Sequence, residues 1–103
     1  MGMFDDVHCD YPLPDLAHNE IQFQTEDLAC ELEVYCITAD GRLEVQLSTG
    51  CDWRWLKGYH GDVRIYGYYP RGDESGEWVE YVVRFSGGRV SRVWRVSRVW
   101  RVS

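Results

Sequence analysis

The sequence contains little proline and no long apolar run. Three prolines occur among 103 residues, and no apolar stretch approaches the roughly 18 residues of a membrane-spanning helix. The acidic beginning of the chain also lacks the basic and apolar regions of a secretory signal peptide. We therefore expect a cytoplasmic protein without membrane contact. A chain of this length predicts one domain with a modest core.

Motifs of the common enzyme classes are also absent. No GxSxG, Walker loop, GxGxxG or HExxH sequence occurs. The adjacent carboxylates Asp5-Asp6 and Asp73-Glu74 lie in predicted turns, where solvation explains them. His60 is more readily a packed or hydrogen-bonded structural residue than a general base, and Cys51 lacks the electropositive surroundings that activate a thiol. We expect no enzymatic activity, no catalytic residue and no cofactor.

Four cysteines and three histidines raise the question of a metal site. A structural zinc site usually has close ligand pairs, such as CxxC or HxxxH, because one tight turn then presents two ligands together. Here the closest cysteines, Cys30 and Cys36, are separated by five residues. A disulfide is disfavoured in a chain without a secretory signal. We expect free thiols and no metal, with a zinc site assembled from distant strands as the alternative.

Charge divides the chain into two halves of opposite sign. Residues 1–50 hold 11 acids and Arg42 as their single base, whereas residues 51–103 hold 10 bases and 6 acids. After Glu80 there are six arginines and no acid. The favoured interpretation is a fold with two solvated faces whose charges balance each other. The alternative is a surface that attracts a charged partner.

Alternating apolar and polar residues predict short strands, and no segment has the spacing of a long helix. The candidate strands are residues 3–9, 21–25, 32–38, 42–47, 62–68 and 78–85. Asp40-Gly41 predicts a hairpin between the third and fourth strands, because both residues tolerate positive φ. Ser86-Gly87-Gly88 predicts a second hairpin, which returns from Arg89. We expect a mostly β protein in residues 1–96, a single small antiparallel sheet, sandwich or barrel-like domain built of hairpins.

The end of the chain is a repeat. Ser91-Arg92-Val93-Trp94-Arg95-Val96 recurs in residues 97–102. Strict alternation would place Val90, Arg92 and Trp94 on one face of a strand, where arginine and tryptophan can form cation–π contacts. The favoured interpretation is that the first copy completes the hairpin and residues 97–103 are an added extension. The alternatives are an arginine–tryptophan strip that binds nucleic acid and an edge strand that adds to a partner or to another copy.

Residues 53–59 are the other candidate contact surface. Trp53, Arg54, Lys57 and Tyr59 have the composition of interface hot spots and base-stacking platforms. The alternative is a role in the core, because a domain with three phenylalanines needs other aromatic side chains in its interior. Trp55, Leu56 and Trp78 are expected inside, and Trp53, Arg54 and Tyr59 exposed. The candidate binding residues are Trp53, Arg54, Lys57, Tyr59, Arg92, Trp94 and Arg95.

A series of motifs runs in order through residues 3–90. They are Met3-Phe4-Asp5, Tyr11-Pro12-Leu13-Pro14-Asp15, Phe23-Gln24-Thr25 with Asp27-Leu28 and Cys30, Asp40-Gly41-Arg42-Leu43, His60-Gly61-Asp62-Val63-Arg64-Ile65-Tyr66, Glu80-Tyr81-Val82-Val83-Arg84-Phe85 and Gly88-Arg89. The series resembles a group of short, uncharacterised proteins encoded by bacteriophages and prophages. The resemblance implies a phage or prophage origin and the cytoplasm of a bacterial host, and it supplies no catalytic residue. Some similar proteins carry CxxC where this chain has Tyr11-Pro12-Leu13-Pro14, which further disfavours zinc.

Two hypotheses about function follow. In the first, the chain is a non-enzymatic, phage-type domain that binds a host or phage protein. In the alternative, it binds single-stranded nucleic acid through Trp53, Arg54, Lys57 and the arginines of the tail. Affinity for an oligonucleotide at low salt separates the two, because counterion release then favours nucleic-acid binding most.

Overall fold

The computed structural model describes residues 3–47, 50, 52–70 and 76–96. These residues form eight strands, β1 (Asp5–Cys9), β2 (Gln22–Thr25), β3 (Val34–Ile37), β4 (Leu43–Gln46), β5 (Trp53–Trp55), β6 (Gly61–Pro70), β7 (Gly76–Ser86) and β8 (Arg89–Arg95), and one 3-10 helix (Leu16–Glu20). The predicted mostly β fold is confirmed. Asp73-Glu74, Cys51 and the predicted extension at residues 97–103 lie outside the described residues.

All eight strands belong to one sheet, in the order β5-β4-β3-β1-β2-β6-β7-β8. Both predicted hairpins form, β3 with β4 and β7 with β8. Neighbouring strands are antiparallel, except that β1 and β3 are parallel. The sheet is open, but it curls until Arg42 and Arg89 form a bridge. There Leu43 N donates to Gly88 O at 2.9 Å, which brings the start of β8 beside β4.

The core lies on the inner face of the curled sheet. Its largest fully buried side chains include Tyr81, Phe23, Phe85, Ile37, Leu43, Ile65, Val7, Val63, Val79 and Val83. They sit at alternate strand positions, because successive side chains of a strand point to opposite faces. Burial of each such side chain contributes about 1.5–3 kcal/mol. The remaining strand positions therefore form the outer face of the sheet.

A β-bulge sets which residues of β8 face outward. Arg84 pairs with Arg92 and Phe85 pairs with Val90, so Ser91 is an extra residue in β8. The bulge turns both Val90 and Val93 against the core. Strict alternation predicted Val90 on the same face as Arg92 and Trp94, and this is wrong because the extra residue reverses the alternation at that point.

The expected solvation of Asp5 in a turn is wrong, because Asp5 is the first residue of β1 and is fully buried. Its carboxylate holds the loop between β2 and β3. Its Oδ2 accepts from the backbone N–H of Cys30 at 2.7 Å, and its Oδ1 accepts from those of Glu31 and Glu33 at 3.1 and 2.9 Å. Cys30 and Leu32 have φ of 57° and 60°, a left-handed conformation that L-residues rarely adopt. The three hydrogen bonds stabilise this unfavourable backbone and fix the loop to the start of β1.

Candidate functional site

β6 and β7 extend beyond their neighbours as a two-stranded ribbon. They pair continuously from Gly61 and Phe85 to Pro70 and Gly76. The pairing of β2 reaches β6 at Tyr66, and the strand pairing of β8 reaches β7 at Tyr81. Residues 67–70 and 76–79, which we call the ribbon, pair with each other beyond these points, and β2 still runs beside its base, where Ile21 and Gln22 lie against Gly67. The far end of the ribbon therefore projects from the body of the sheet.

The outer face of the ribbon carries two exposed aromatic side chains. Trp78 is 67% exposed and Tyr68 is 46% exposed. They are register partners across β6 and β7, and their ring centroids are 5.8 Å apart with an angle of 69° between the planes. This edge-to-face geometry is a favourable arrangement for two aromatic rings. The two rings together form an exposed apolar surface, with the Tyr68 hydroxyl and the Trp78 indole N–H as its polar groups.

The expected interior position of Trp78 is wrong. In β7 the buried residues Val79, Tyr81, Val83 and Phe85 alternate with outward residues, and Trp78 falls on the outward positions. The hypothesis gave more weight to residue type than to position in the strand. Alternation along β7 is the signal that could have found this residue from the sequence.

The inner face of the ribbon is held against a buried histidine. His18, in the 3-10 helix, is fully buried, and its Nδ1 lies 2.7 Å from the hydroxyl of Tyr81. Its ring meets that of Tyr69 edge-on at 4.9 Å. Its Nε2 lies 3.5 Å from Asp15 Oδ2 and 3.9 Å from Glu77 Oε1. Burial also raises the pKa of Tyr81, so its hydroxyl stays protonated. These contacts fix the position of the ribbon on the body of the sheet.

Trp94 forms a second aromatic surface on the outer face. It pairs with Val82 across β7 and β8, and the guanidinium groups of Arg84 and Arg92 lie 5.2 and 5.1 Å from its ring centre. The predicted stacking of arginine on tryptophan is therefore confirmed at Arg92. A shallow depression beside the ring is lined by Asp27, Asp62, Arg64, Val82 and Trp94.

Trp55 is the centre of a third cluster, where the sheet curls back on itself. Arg42, Lys57 and Arg89 place their charged groups 5.4, 5.3 and 5.0 Å from its ring centre. Its Nε1 donates to Gly88 O at 3.0 Å. Gly88 has φ of 76°, and a Cβ at that position would clash with the carbonyl of the β5–β6 connection. A glycine is therefore required where the β7–β8 turn meets the β5–β6 connection.

The candidate residues of the 53–59 segment are divided between surface and core. Trp53 is 41% exposed, and Arg54 beside it is also exposed, as expected. Tyr59 is half-buried and packs edge-on against Phe85 at 5.9 Å, so its expected exposure is wrong. Burial raises the pKa of Tyr59. Lys57 lies at the Trp55 cluster, apart from the exposed Trp53.

The candidate residues of β8 also separate. Arg92 and Trp94 lie together on the outer face. Arg95 pairs with the inward-facing Tyr81, and its Nη2 lies 3.3 Å from Glu77 Oε2. The seven candidates therefore do not form one site, and the exposed pair Tyr68 and Trp78 is not among them.

Most of the arginines in the described residues have carboxylate partners. The ion pairs join Arg42 to Asp40 and Glu44, Arg64 to Glu80, Arg84 to Asp62, Arg89 to Asp40, and Arg95 to Glu77. Only Arg54, Lys57 and Arg92 have no such partner within the described ranges. This pattern supports the interpretation in which the charges of the fold balance each other.

The thiols of Cys9 and Cys36 have raised pKa values, which disfavours the reactive thiolate form. Burial raises the pKa of Cys9 to about 12, and burial together with Asp10 raises the pKa of Cys36 to about 11. Among the described residues, no three His, Cys, Asp or Glu side chains are placed to hold a metal ion. No helix of this part of the chain is long and apolar enough to cross a membrane.

Comparisons with protein-family models, with curated proteins and with solved structures give no match. Function must therefore be argued from the surfaces themselves. Three aromatic surfaces are available, at Tyr68 and Trp78, at Trp94 and at Trp53, and the first of them is the most exposed.

Proposed function

We propose that this domain acts without catalysis, by binding another protein, and that Tyr68 and Trp78 are the centre of its contact surface. The observation that carries the proposal is the 67% exposure of Trp78 on a projecting ribbon. Tryptophan and tyrosine are enriched among the residues that contribute most of the energy at protein interfaces. Covering a large exposed apolar side chain is favourable in water.

The base of the ribbon supports the same proposal. Tyr69 and Glu77 pack over the buried His18, which is held in turn by Tyr81. A surface that is already fixed before binding loses less conformational freedom when it binds. The ribbon therefore presents its aromatic pair in a defined position.

Trp94 extends the contact surface along the same face. Its partner Val82 lies four residues after Trp78 in β7, which corresponds to roughly 13 Å along a strand. A standard interface covers about 800 Å² of each partner, so one bound protein spans both tryptophans. Arg92, which has no carboxylate partner in the described residues, lies beside Trp94 and adds a polar contact.

The resemblance to phage and prophage proteins supports the choice of partner. A phage-type domain without catalytic groups acts on its surroundings through what it binds. We propose a host or phage protein as the partner, and the cytoplasm of the bacterial host as the place of binding.

Binding of single-stranded nucleic acid is the second candidate. Its support is that two tryptophans, Trp55 and Trp94, each have more than one cation at their ring, as in base-stacking surfaces. It ranks second because Arg42, Arg84 and Arg89 at these rings already pair with carboxylates. A labelled oligonucleotide that binds at low salt supports this alternative, and no binding there removes it.

The test of protein binding is a comparison of two tryptophan variants. The wild-type chain is used to capture a protein from a bacterial lysate, and the affinity of the purified partner is then measured by calorimetry. Trp78→Ala is expected to weaken this affinity by about 30-fold, the effect of a hot spot worth about 2 kcal/mol. Trp53→Ala, at a separate exposed tryptophan on β5, is the matched control and should bind like the wild type. Equal affinities for Trp78→Ala and the wild type would refute the proposal.

A further inference from the structure

One side of β8 has no neighbouring strand among the described residues and is a sheet edge. β8 pairs with β7 along its length, but on its other side it is joined only at its start. There Arg89 bridges Arg42 and Val90 N donates to Gly41 O at 2.8 Å. Beyond Val90, no backbone hydrogen bond reaches this side of the strand from the described residues.

The hydrogen-bond ladder identifies the free backbone groups. Val96 N donates to Glu80 O at 2.9 Å, which sets the phase of the pairing between β7 and β8. In an antiparallel pair, alternate residues direct their N–H and C=O toward the partner strand. Trp94 and Val96 therefore face β7, whereas the N–H and C=O of Val93 and Arg95 point to the open edge. An edge of this kind is a template for an added strand.

We infer that an extended, acidic segment of the partner protein adds to β8 as a further strand. Charge complementarity at Arg92 favours an acidic segment, because this arginine of β8 has no carboxylate partner among the described residues, whereas Arg89 and Arg95 are already paired. A second copy of β8 fits poorly, because it would set two arginine-rich strands side by side, and like charges across strands are destabilising. The inference rests on the proposed protein-binding function and names the kind of segment bound.

The positions of the β8 side chains predict that charged and neutral residues alternate along the added strand. Arg92 and Trp94 lie on the outer face of β8, so every second residue of an added strand would lie beside them. Carboxylates at those positions would pair with Arg92. On the inner side Arg95 is already paired with Glu77, so a neutral side chain suits the intervening positions.

The probe is a fluorescein-labelled ten-residue peptide of alternating glutamate and threonine, and the control replaces each glutamate with lysine. The acidic peptide is expected to bind the full chain and the lysine peptide is not. Arg95→Pro removes the N–H that faces the open edge, while Arg95→Ala keeps it and removes the same side chain. Loss of one backbone hydrogen bond predicts that Arg95→Pro binds about tenfold more weakly than Arg95→Ala. Equal binding by the two variants would overturn the inference.

Hydrogen exchange of the wild-type chain gives a test that needs no variant to fold. In the free protein the amides of Val93 and Arg95 should exchange quickly and that of Trp94 slowly. The acidic peptide should slow the exchange of Val93 and Arg95. The inference would be overturned if the two amides exchange at the same rate with and without bound peptide. It would also be overturned if self-association of the chain already protects both amides in the free protein.

Failure here is distinguishable from failure of the proposed function. Trp53→Ala should bind the acidic peptide like the wild type, because Trp53 lies on β5, at the opposite end of the strand order from β8. If the peptide does not bind while Trp78→Ala still loses the captured partner, the edge inference fails and the protein-binding function stands.

Discussion

Removal of the Asp5 carboxylate should loosen the β2–β3 loop and destabilise the whole domain. Each charged hydrogen bond contributes about 1.5–3 kcal/mol, and Asp5 accepts three from backbone N–H groups. Water reaches part of this loop, since Glu31 is exposed, so the lower end of that range applies. Asp5→Ala should therefore lower the free energy of unfolding by about 4 kcal/mol.

Asp5→Asn should have a smaller effect. Its amide oxygen can still accept from Glu31 and Glu33, while its NH₂ group faces the N–H of Cys30 instead of accepting from it. The loss of one bond predicts a decrease of about 2 kcal/mol in the free energy of unfolding. Urea unfolding measures both variants, with an unchanged m-value expected. The neighbouring Asp6→Asn is the matched control, with an expected change within about 0.5 kcal/mol. A change of that size for Asp5→Asn as well would refute the reasoning.

The remaining predictions concern a thiol, a carboxylate and a glycine. Alkylation of Cys36 by iodoacetamide, followed by mass spectrometry, should be slow at neutral pH and rise toward pH 11, because its pKa is raised to about 11. Fast alkylation at neutral pH would contradict the raised pKa. The hydrogen bond from Arg84 lowers the pKa of Asp62 below 3.8, so this pair stabilises the fold above the ordinary carboxyl pKa and the effect is lost as pH falls through the lowered value. In an NMR titration, Arg84→Ala should return the midpoint of Asp62 toward 3.8, and an unmoved midpoint would exclude the pair as its cause. Gly88→Ala should lower the free energy of unfolding by about 2–3 kcal/mol, because of backbone strain and a clash with Leu56 O. Gly58→Ala is the control, because a Cβ there meets nothing within 4 Å. Equal stability of the two variants would contradict the close approach of Gly88 to Leu56.

The parts of the fold that could be predicted from sequence are those determined by neighbouring residues. Asp40-Gly41 and Gly87-Gly88 specify hairpins because the turn itself needs positive φ, which Gly41, Gly87 and Gly88 adopt. The parallel pairing of β1 with β3 has no such signal, since it depends on strands that are distant in sequence. The 3-10 helix at Leu16–Glu20 is too short for periodicity, and it is held by the burial of His18.

The candidate site was only partly predictable. Trp53 and Arg54 are exposed, as their mixed aromatic and basic segment indicates. Trp78 was misplaced because a large apolar residue type favours the core, whereas its position in β7 puts it on the outer face. The register shift at Ser91 could not be found by counting residues, because a bulge changes the alternation that such counting assumes.

The most direct test of a contact surface at Trp78 is to measure affinity and stability in the same variant. If Trp78 serves binding rather than folding, its variant should lose affinity and keep most of its stability. For Trp78→Ala we predict an affinity for the captured protein about 30-fold below that of the wild type, with a free energy of unfolding lower by at most about 1.5 kcal/mol, the contribution of the ring contact with Tyr68. Unchanged affinity, or a loss of stability large enough to unfold the variant, would contradict the account.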